Sequence, residues 1–136
     1  MSGPQVAARR PFQVGVPVVV EALGPDRSLA AVFEDDGSTG YFYALDRTLV
    51  TEPVVDAVCI YDVDEFEAGK GPSLLHIVWS ADGSKVALLI DEHPQAVFDF
   101  EEKRGYCRSG FPEPGPEHGW TRHDWDDSLR EAFFGG

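Results

Sequence analysis

The sequence predicts an α+β domain: a mainly antiparallel β-sheet of about six or seven strands with a C-terminal helix packed on it. Three observations support this prediction: two hairpin signals, one long run rich in β-branched residues, and one amphipathic stripe near the C-terminus. The sheet is expected to be strongly curved or folded into a sandwich.

The first hairpin signal spans Leu29–Asp46, where two apolar runs flank a polar centre that contains Asp36, Gly37 and Gly40. Glycine admits the positive φ angles of tight hairpin turns, and Asp tolerates them better than most residues. The flanking Val, Phe and Tyr side chains suit a pleated, half-buried surface. We therefore expect a β-hairpin here.

Before this hairpin, the chain divides into a tail and a strand. Residues 1–11 are small, polar or interrupted by proline, which is typical of a flexible N-terminal tail, so we place the single domain at residues 12–136. Alternating valines predict a strand over Phe12–Glu21, and Pro17 indicates an edge position or a bulge in it.

Further strand signals follow the first hairpin. Val54–Val63 is the most apolar run and is rich in β-branched residues, which predicts a central strand with both faces covered. Cys59 within it is expected to be a small buried side chain. Leu74–Ile90 contains the second hairpin, with an Asp-Gly pair at its turn, and Ala96–Phe100 is a short strand.

The C-terminal segment carries the helix signal. Thr121 and Asp124 fit a capping box, in which the hydroxyl and the carboxylate satisfy free amide groups reciprocally. Apolar residues then recur at helical spacing: Trp125, Leu129, Ala132 and Phe133. We expect this helix to dock on the sheet through that stripe and to end at the terminal glycines.

The composition is that of a soluble acidic protein. The chain has 136 residues and a formal net charge of −13. Residues 1–50 carry six acidic and four basic side chains, whereas residues 51–136 carry eighteen and seven, so most of the surplus lies in the later part. Such a field disfavours nucleic acid, whose binding needs Lys and Arg, and attracts a basic partner. We expect no membrane partner and a cytoplasmic location.

Two acidic stretches are the candidate partner-binding residues. The first is the hairpin turn Glu34, Asp35 and Asp36, and the second is the loop with Asp62, Asp64, Glu65 and Glu67. Adjacent carboxylates repel one another unless a cation faces them. These residues are therefore predicted either to contact a basic partner or to form solvated turns.

No nucleophile elbow, phosphate loop, dinucleotide fingerprint or zinc cysteine pair is present, so we assign no catalytic residue and no cofactor. An alternative hypothesis uses the histidines: His93, His118 and His123 could join Asp91 or Asp124 around a metal, although their spacing is not that of a helical ligand pair. Cys107 beside Arg108 could be a reactive thiol, because a nearby cation favours thiolate.

The combination of Phe33–Asp46, Val55–Tyr61, Ala96–Phe100 and Gly105–Arg108 resembles the DUF2251 domain, a bacterial family of unknown function. The resemblance covers about residues 28–134, and its more specific motifs are Gly-Tyr-Phe-Tyr after the acidic turn and the later Phe-Asp-Phe. It implies a small bacterial β-rich domain and supplies no catalytic residues. Members are similar in size and charge to immunity proteins that neutralise bacterial toxins.

These observations favour a non-enzymatic protein-binding module, in the form of an immunity-like antagonist of a basic toxin. The alternative is a small-ligand or metal-binding protein, or an enzyme, that uses His93, His118, His123 and Cys107. A small-ligand pocket is then expected between the sheet and the C-terminal helix.

Overall fold

A computed structural model describes residues 4–65, 71–108, 112 and 119–134. The first five strands are β1 (Gln5–Phe12), β2 (Val18–Leu23), β3 (Leu29–Asp35), β4 (Thr39–Asp46) and β5 (Val54–Asp62). The later five are β6 (Ser73–Trp79), β7 (Lys85–Ile90), β8 (His93–Asp99), β9 (Arg104–Cys107) and β10 (Thr121–Asp124). A 3₁₀ turn spans Val63–Glu65, and the helix α1 spans Leu129–Phe134.

The strands form two sheets. The smaller sheet has four strands in the order β2-β3-β4-β5, and all its neighbours are antiparallel. The larger sheet has six strands in the order β1-β6-β7-β8-β9-β10, and its last pair, β9 with β10, is parallel. The described structure is therefore nearly all β, with ten strands rather than six or seven, and the predicted α+β class is wrong.

One hydrophobic core joins the two sheets. The ring of Phe42 on β4 stacks on that of Phe98 on β8, with centroids 5.0 Å apart, and both side chains are fully buried. Phe12 and Phe33 meet edge to face at 5.3 Å where β1 lies against β3. Burial of large apolar side chains from both sheets is what holds the layers together.

Both predicted hairpins are confirmed. Strands β3 and β4 pair in antiparallel register around Asp36 and Gly37, and β6 pairs with β7 around the turn that contains Gly83. Gly37 and Gly83 have φ angles of 96° and 76°, which glycine adopts without a steric penalty. The residue types at the two turns were therefore sufficient to predict both hairpins from local sequence.

The N-terminal predictions do not hold. Gln5–Phe12 is not a flexible tail, because it pairs antiparallel with β6 as strand β1. The predicted strand over Phe12–Glu21 is broken by a turn at Gly15, whose φ is 89° and whose N–H donates to the Asp35 carboxylate at 2.8 Å. That turn lets the chain leave the larger sheet and enter the smaller one as β2.

The predicted C-terminal helix over Thr121–Phe133 is also wrong. Thr121 to Asp124 form strand β10 beside β9, and the Thr121 N–H donates to the Lys103 carbonyl at 3.0 Å. Helix α1 begins only at Leu129 and has six residues. Its side chains Leu129 and Phe133 contact a second apolar cluster that contains Trp125. The predicted helix end at the terminal glycines lies outside the described residues.

A buried ion pair explains why the capping box does not start a helix. The Arg122 guanidinium donates to both oxygens of Asp56, at 2.7 and 2.6 Å, and the two side chains are 7% and 0% exposed. Arg122 also donates to the Ala57 carbonyl at 3.2 Å. Because β10 must run extended to place this side chain, a tertiary contact overrides the local helix preference.

Gly105 on β9 makes room for this ion pair. A Cβ atom at this position would overlap both the guanidinium of Arg122 and the carboxylate of Asp56. Glycine is therefore required here by the close approach of the ion pair rather than by an unusual backbone angle.

We expect Arg122→Met to lower the free energy of unfolding by about 3–5 kcal/mol, because Asp56 is left buried without a counter-charge. The exposed pair Arg108–Asp127 provides the control, and Arg108→Met should cost less than about 1 kcal/mol. The double variant Asp56→Leu, Arg122→Met should recover part of the loss. Urea denaturation measures all three, and equal midpoints for the two single variants would contradict the assignment.

Candidate functional site

Charge is segregated between the two sheets. Strands β2 to β5 contain no Lys, Arg or His, and they carry six Asp and Glu residues, of which Asp35 and Asp56 are buried. The larger sheet supplies basic strand residues, among them Arg9, Lys85 and Arg104. The solvent-facing side of the smaller sheet, which we call the outer face, is therefore the part of the described fold best suited to a basic partner.

Two tyrosines lie at the centre of the outer face. Tyr41 and Tyr43 on β4 alternate with the buried Phe42, so both point away from the core. Their rings stack with centroids 5.9 Å apart, and both side chains are partly exposed. Across the ladder, Tyr41 pairs with Glu34 on one side and with Cys59 on the other. Tyrosine is enriched among the residues that dominate protein interfaces.

Glu34 fixes the orientation of one of these rings. The Tyr43 hydroxyl donates to Glu34 Oε1 at 3.1 Å. Burial raises the pKa of Tyr43 to about 12, and the hydrogen bond to Glu34 acts in the same direction. The ring is therefore neutral and held in place at physiological pH, so binding a partner would cost little side-chain entropy here.

The structure brings the other predicted acidic residues to one end of the outer face. Asp62 lies across the ladder from Thr39, and the Val63 N–H donates to the Ser38 carbonyl at 2.8 Å. Asp36 and Asp62 are thus neighbours at the hairpin tip, although they are far apart in the sequence. The exposed carboxylates at this end are Asp36, Asp62, Asp64 and Glu65, whereas Glu67 lies outside the described residues.

Asp35, by contrast, has a structural role. It is 1% exposed, and its carboxylate accepts hydrogen bonds from the Tyr61 hydroxyl at 2.6 Å and from Gly15 and Gly37 amides at 2.8 Å each. It joins the β1–β2 turn, the β3–β4 turn and strand β5. It is not exposed to a partner, so we remove Asp35 from the predicted contact residues.

The alternative residues do not assemble into a site. Cys107 is fully buried on β9, and Cys59, which was expected to be buried, is partly exposed on the outer face. His93 is exposed, and His123 contacts the Thr121 hydroxyl at 2.7 Å, while His118 lies outside the described residues. Within the described ranges, no three His, Cys, Asp or Glu side chains cluster closely enough to hold a metal ion.

A cleft lies between the sheets at the opposite end of the molecule. It has a volume of about 540 Å³, and its walls carry carboxylates from four different turns. We define this acidic cleft by Asp26, Asp46, Asp82, Glu101, Phe100 and Trp120. The groove between the larger sheet and the C-terminal segment, where a ligand pocket was predicted, measures about 170 Å³ and is smaller than ordinary ligand sites.

Comparison with known proteins places the chain in a family. Residues 12–134 match the model of a family described as an uncharacterized protein conserved in bacteria (DUF2251). The chain belongs to the DUF2251 family. The match confirms the resemblance seen in the sequence. It runs from Phe12, the last residue of β1, to Phe134, the last residue of α1.

A relative of this DUF2251 chain occurs in Haemophilus influenzae and is described as an uncharacterized protein. It is 40% identical over 106 residues, which cover 78% of this chain and 66% of the relative. The chain thus spans slightly under two thirds of that relative's length. No solved structure matches the chain. In the described part of the fold, every helix is too short to cross a bilayer.

The acidic cleft was not predicted from the sequence, although a signal was present. Asp26, Asp46 and Asp82 each precede a Ser or Thr by two positions, and each carboxylate accepts hydrogen bonds within its own turn. In an antiparallel meander, alternate turns lie at the same end of the sheet. The turns at Asp26 and Asp46 could therefore have been assigned to one end, away from Asp36.

We expect the pKa of Asp82 to be about 2, because its carboxylate accepts hydrogen bonds from the Ser84 amide and hydroxyl and from the Ser80 hydroxyl. Folding stability that depends on Asp82 is therefore present above about pH 4 and is lost as pH falls toward 2, where the folded form takes up the proton. Carboxyl NMR titration measures the midpoint. Ser84→Ala should raise it and Ser84→Thr should not, and a wild-type midpoint near 4 would contradict the assignment.

Proposed function

We propose that this DUF2251 chain is a non-enzymatic binding domain whose outer face engages a basic protein. The observation that carries the proposal is the stacked pair Tyr41 and Tyr43, set in a sheet that has carboxylates and no basic residue. Aromatic side chains supply contact area in interfaces, and surrounding charge of one sign selects a partner of the opposite sign.

The arrangement of the outer face supports a protein rather than a small ligand. Its rows run across all four strands: one contains Val19, Glu34, Tyr41 and Cys59, and the next contains Glu21, Val32, Tyr43 and Ala57. Val19 is 58% exposed at the edge of this surface. A broad sheet face with an apolar and aromatic centre and charged edges has the composition of an interface.

The acidic end near the hairpin tip extends the same surface. Asp62, Asp64 and Glu65 are exposed beside the turn of Asp36, so negative charge is concentrated next to the tyrosine pair. Such a field accelerates encounter with a positively charged partner. Antagonism of a basic bacterial toxin is the biological role that we propose for this interaction, since occlusion of a basic active site requires only tight binding.

The proposal predicts that association depends on salt and on the outer-face charges. A partner recovered by pull-down from the source organism would be measured by surface plasmon resonance at 50 and 300 mM NaCl. Glu21→Lys with Glu65→Lys should reduce the association rate about tenfold at low salt, and the difference should shrink at high salt. Tyr41→Ala should instead increase the dissociation rate by about thirtyfold, as expected when an interface hot spot is truncated.

The matched control is Glu92→Lys with Glu102→Lys, which makes the same double charge reversal in exposed turns of the larger sheet. It should leave both rates nearly unchanged. An acidic partner, or association that ignores salt and all outer-face reversals, would show that the acidity serves solubility alone.

A further inference from the structure

We propose that strand β2 is a docking edge for an extended basic segment of the partner, which adds to the smaller sheet as an antiparallel fifth strand. In this segment, Lys or Arg side chains on the outer-face side alternate with apolar side chains on the core side. This docking mode rests on the proposed function, since it specifies how the basic protein engages the outer face. Addition of a strand to an exposed sheet edge is a recurring mode of peptide recognition.

The register of β2 shows which of its backbone groups face away from the sheet. The Gly24 N–H donates to the Leu29 carbonyl at 2.7 Å, and β2 pairs with β3 without a register shift. Because hydrogen-bonded and non-hydrogen-bonded pairs alternate in an antiparallel ladder, every second residue before Gly24 also bonds to β3, namely Val18, Val20 and Ala22. The intervening residues direct their N–H and C=O groups outward, and these are Val19, Glu21 and Leu23.

These outward groups are free to pair with another strand. Among the described residues, none donates to the carbonyl groups of Val19, Glu21 and Leu23 or accepts from their amides. A row of unpaired donors and acceptors along an edge strand is a template for pairing with a further chain.

The other three edges of the two sheets are protected against such pairing. Strand β1 carries Arg9, Arg10 and Pro11, and its ladder with β6 contains a register shift. Strand β5 has two register shifts, and the Arg122 guanidinium bonds to its Ala57 carbonyl. Strand β10 has only four residues. Charge, proline, bulges and short length are the usual means by which edge strands avoid unintended pairing.

Strand β2 has none of these protections. Its six residues, VVVEAL, include no Lys, Arg or Pro, and its register with β3 is regular throughout. The side chain of Val19 is 58% exposed, and Val16, just before the strand, is 54% exposed. A regular apolar edge is what an added strand requires, so the unprotected edge of the described fold is the one that borders the outer face.

The side chains of β2 define the chemistry of the added strand. Glu21 is exposed on the outer-face side and forms no ion pair with a described residue. A residue directly opposite it would have its Cβ atom about 5 Å away, where opposite charge stabilises the pair and like charge destabilises it. Glu34 on β3 adds negative charge to the same face. On the core side, Val20 and Ala22 are buried, so the added strand needs apolar side chains there.

Charge also argues against a second copy of this chain as the occupant. Pairing of two β2 strands would join two outer faces that carry carboxylates and no basic residue. Each chain also has a formal net charge of −13, so like charge opposes self-association. A basic segment removes this repulsion and is the complementary partner.

The antiparallel geometry predicts which amides of the added strand form the new hydrogen bonds. Two residues that exchange hydrogen bonds in an antiparallel pair lie opposite each other, with their side chains on the same face. Val19, Glu21 and Leu23 have their side chains on the outer-face side, because they alternate with the core-side residues. The basic residues of the added strand therefore donate to β2, whereas the N–H groups of its apolar residues point to solvent.

The test uses four synthetic peptides in ¹⁵N NMR titrations of the full chain. The parent peptide, acetyl-Lys-Val-Lys-Val-Lys-Val-Lys-amide, should bind saturably and should slow amide hydrogen exchange at Val19 and Glu21. N-methylation of its three valines should change the affinity by less than about threefold, whereas N-methylation of three lysines should weaken binding at least about tenfold, because hydrogen bonds to β2 are lost. The peptide with Glu in place of Lys should show no saturable binding.

The two methylated peptides carry the same charge and the same number of methyl groups, so they separate strand pairing from net charge. Equal affinity of these two peptides would show that binding follows charge alone and would overturn the proposal. The reverse preference would contradict the antiparallel assignment. Absence of saturation with the parent peptide, or saturation without protection of Val19 and Glu21, would also overturn it.

Variants of the chain test the same edge from the other side. Val19→Pro removes an outward N–H and leaves the bonds to β3 in place, so it should weaken binding of the parent peptide about tenfold. Val19→Thr keeps that N–H and a β-branched side chain, and its effect should stay below about threefold. Glu21→Gln should weaken binding about two- to fivefold, and Glu102→Gln, in an exposed turn of the larger sheet, is its matched control. Equal effects of Val19→Pro and Val19→Thr on folded protein would contradict the proposal.

Failure of the edge and failure of the proposed function give different results. If Tyr41→Ala speeds dissociation of the protein partner while Val19→Pro changes neither rate, the outer face binds the partner without strand addition and the edge proposal is wrong. If the parent peptide protects Val19 and Glu21 while partner binding ignores salt and Tyr41→Ala, β2 accepts a basic strand and the proposed function is wrong.

Discussion

The buried ion pair between Asp56 and Arg122 is the contact that constrains the rest of the fold. It joins the edge strand of the smaller sheet to the edge strand of the larger one, across 66 residues of sequence. Desolvating two charges is costly, so the pair is stable only because the guanidinium also makes two bonds to Asp56 and donates to the Ala57 and Pro112 carbonyls. Gly105 on the larger sheet leaves the space that this ion pair occupies. The pair therefore specifies how the two sheets are aligned.

The arrangement of strands also separates charge. The four-stranded sheet carries carboxylates without basic residues, whereas Arg and Lys are placed in the larger sheet. Linear charge counts suggested that the surplus lies in residues 51–136, but the sheets cross that boundary because β2 to β4 pair with β5. Charge is therefore counted over each sheet face rather than along the sequence, because a partner responds to the field of a face.

Three of the acidic turns are built in the same way but lie at different ends of the smaller sheet. Asp26, Asp36 and Asp46 each cap their own turn through hydrogen bonds to nearby amides. Asp36 faces the hairpin tip, while the other two face the cleft, because successive turns of a meander alternate between its ends. The same local chemistry thus supports the outer face at one end and the acidic cleft at the other. Asp35, one position before Asp36, is buried and serves only the fold.

The sequence by itself determined the two hairpins, the presence of strand β5 and the acidic composition. The predicted central position of β5 with both faces covered is wrong, because β5 is an edge strand of the smaller sheet. Asp-Gly turns and alternating apolar residues act over a few positions, so they can be recognised without a structure. The family was recognisable for the same reason, because its motifs are contiguous. These features located Glu34 and Asp36 near an exposed hairpin, but they could not separate either residue from the buried Asp35.

Only the tertiary structure decided the class of the fold, the number of sheets, and which residues form the outer face and the acidic cleft. Thr121–Asp124 reads locally as a helix start, yet β9 and Asp56 hold it extended, since long-range hydrogen bonds and an ion pair outweigh a local preference of about 1 kcal/mol. Residues 5–11 read as a tail because pairing with β6 leaves no local trace. The acidic cleft forms only where four turns from distant parts of the chain meet. Contacts between distant residues depend on how the whole chain packs, and no local pattern encodes that packing.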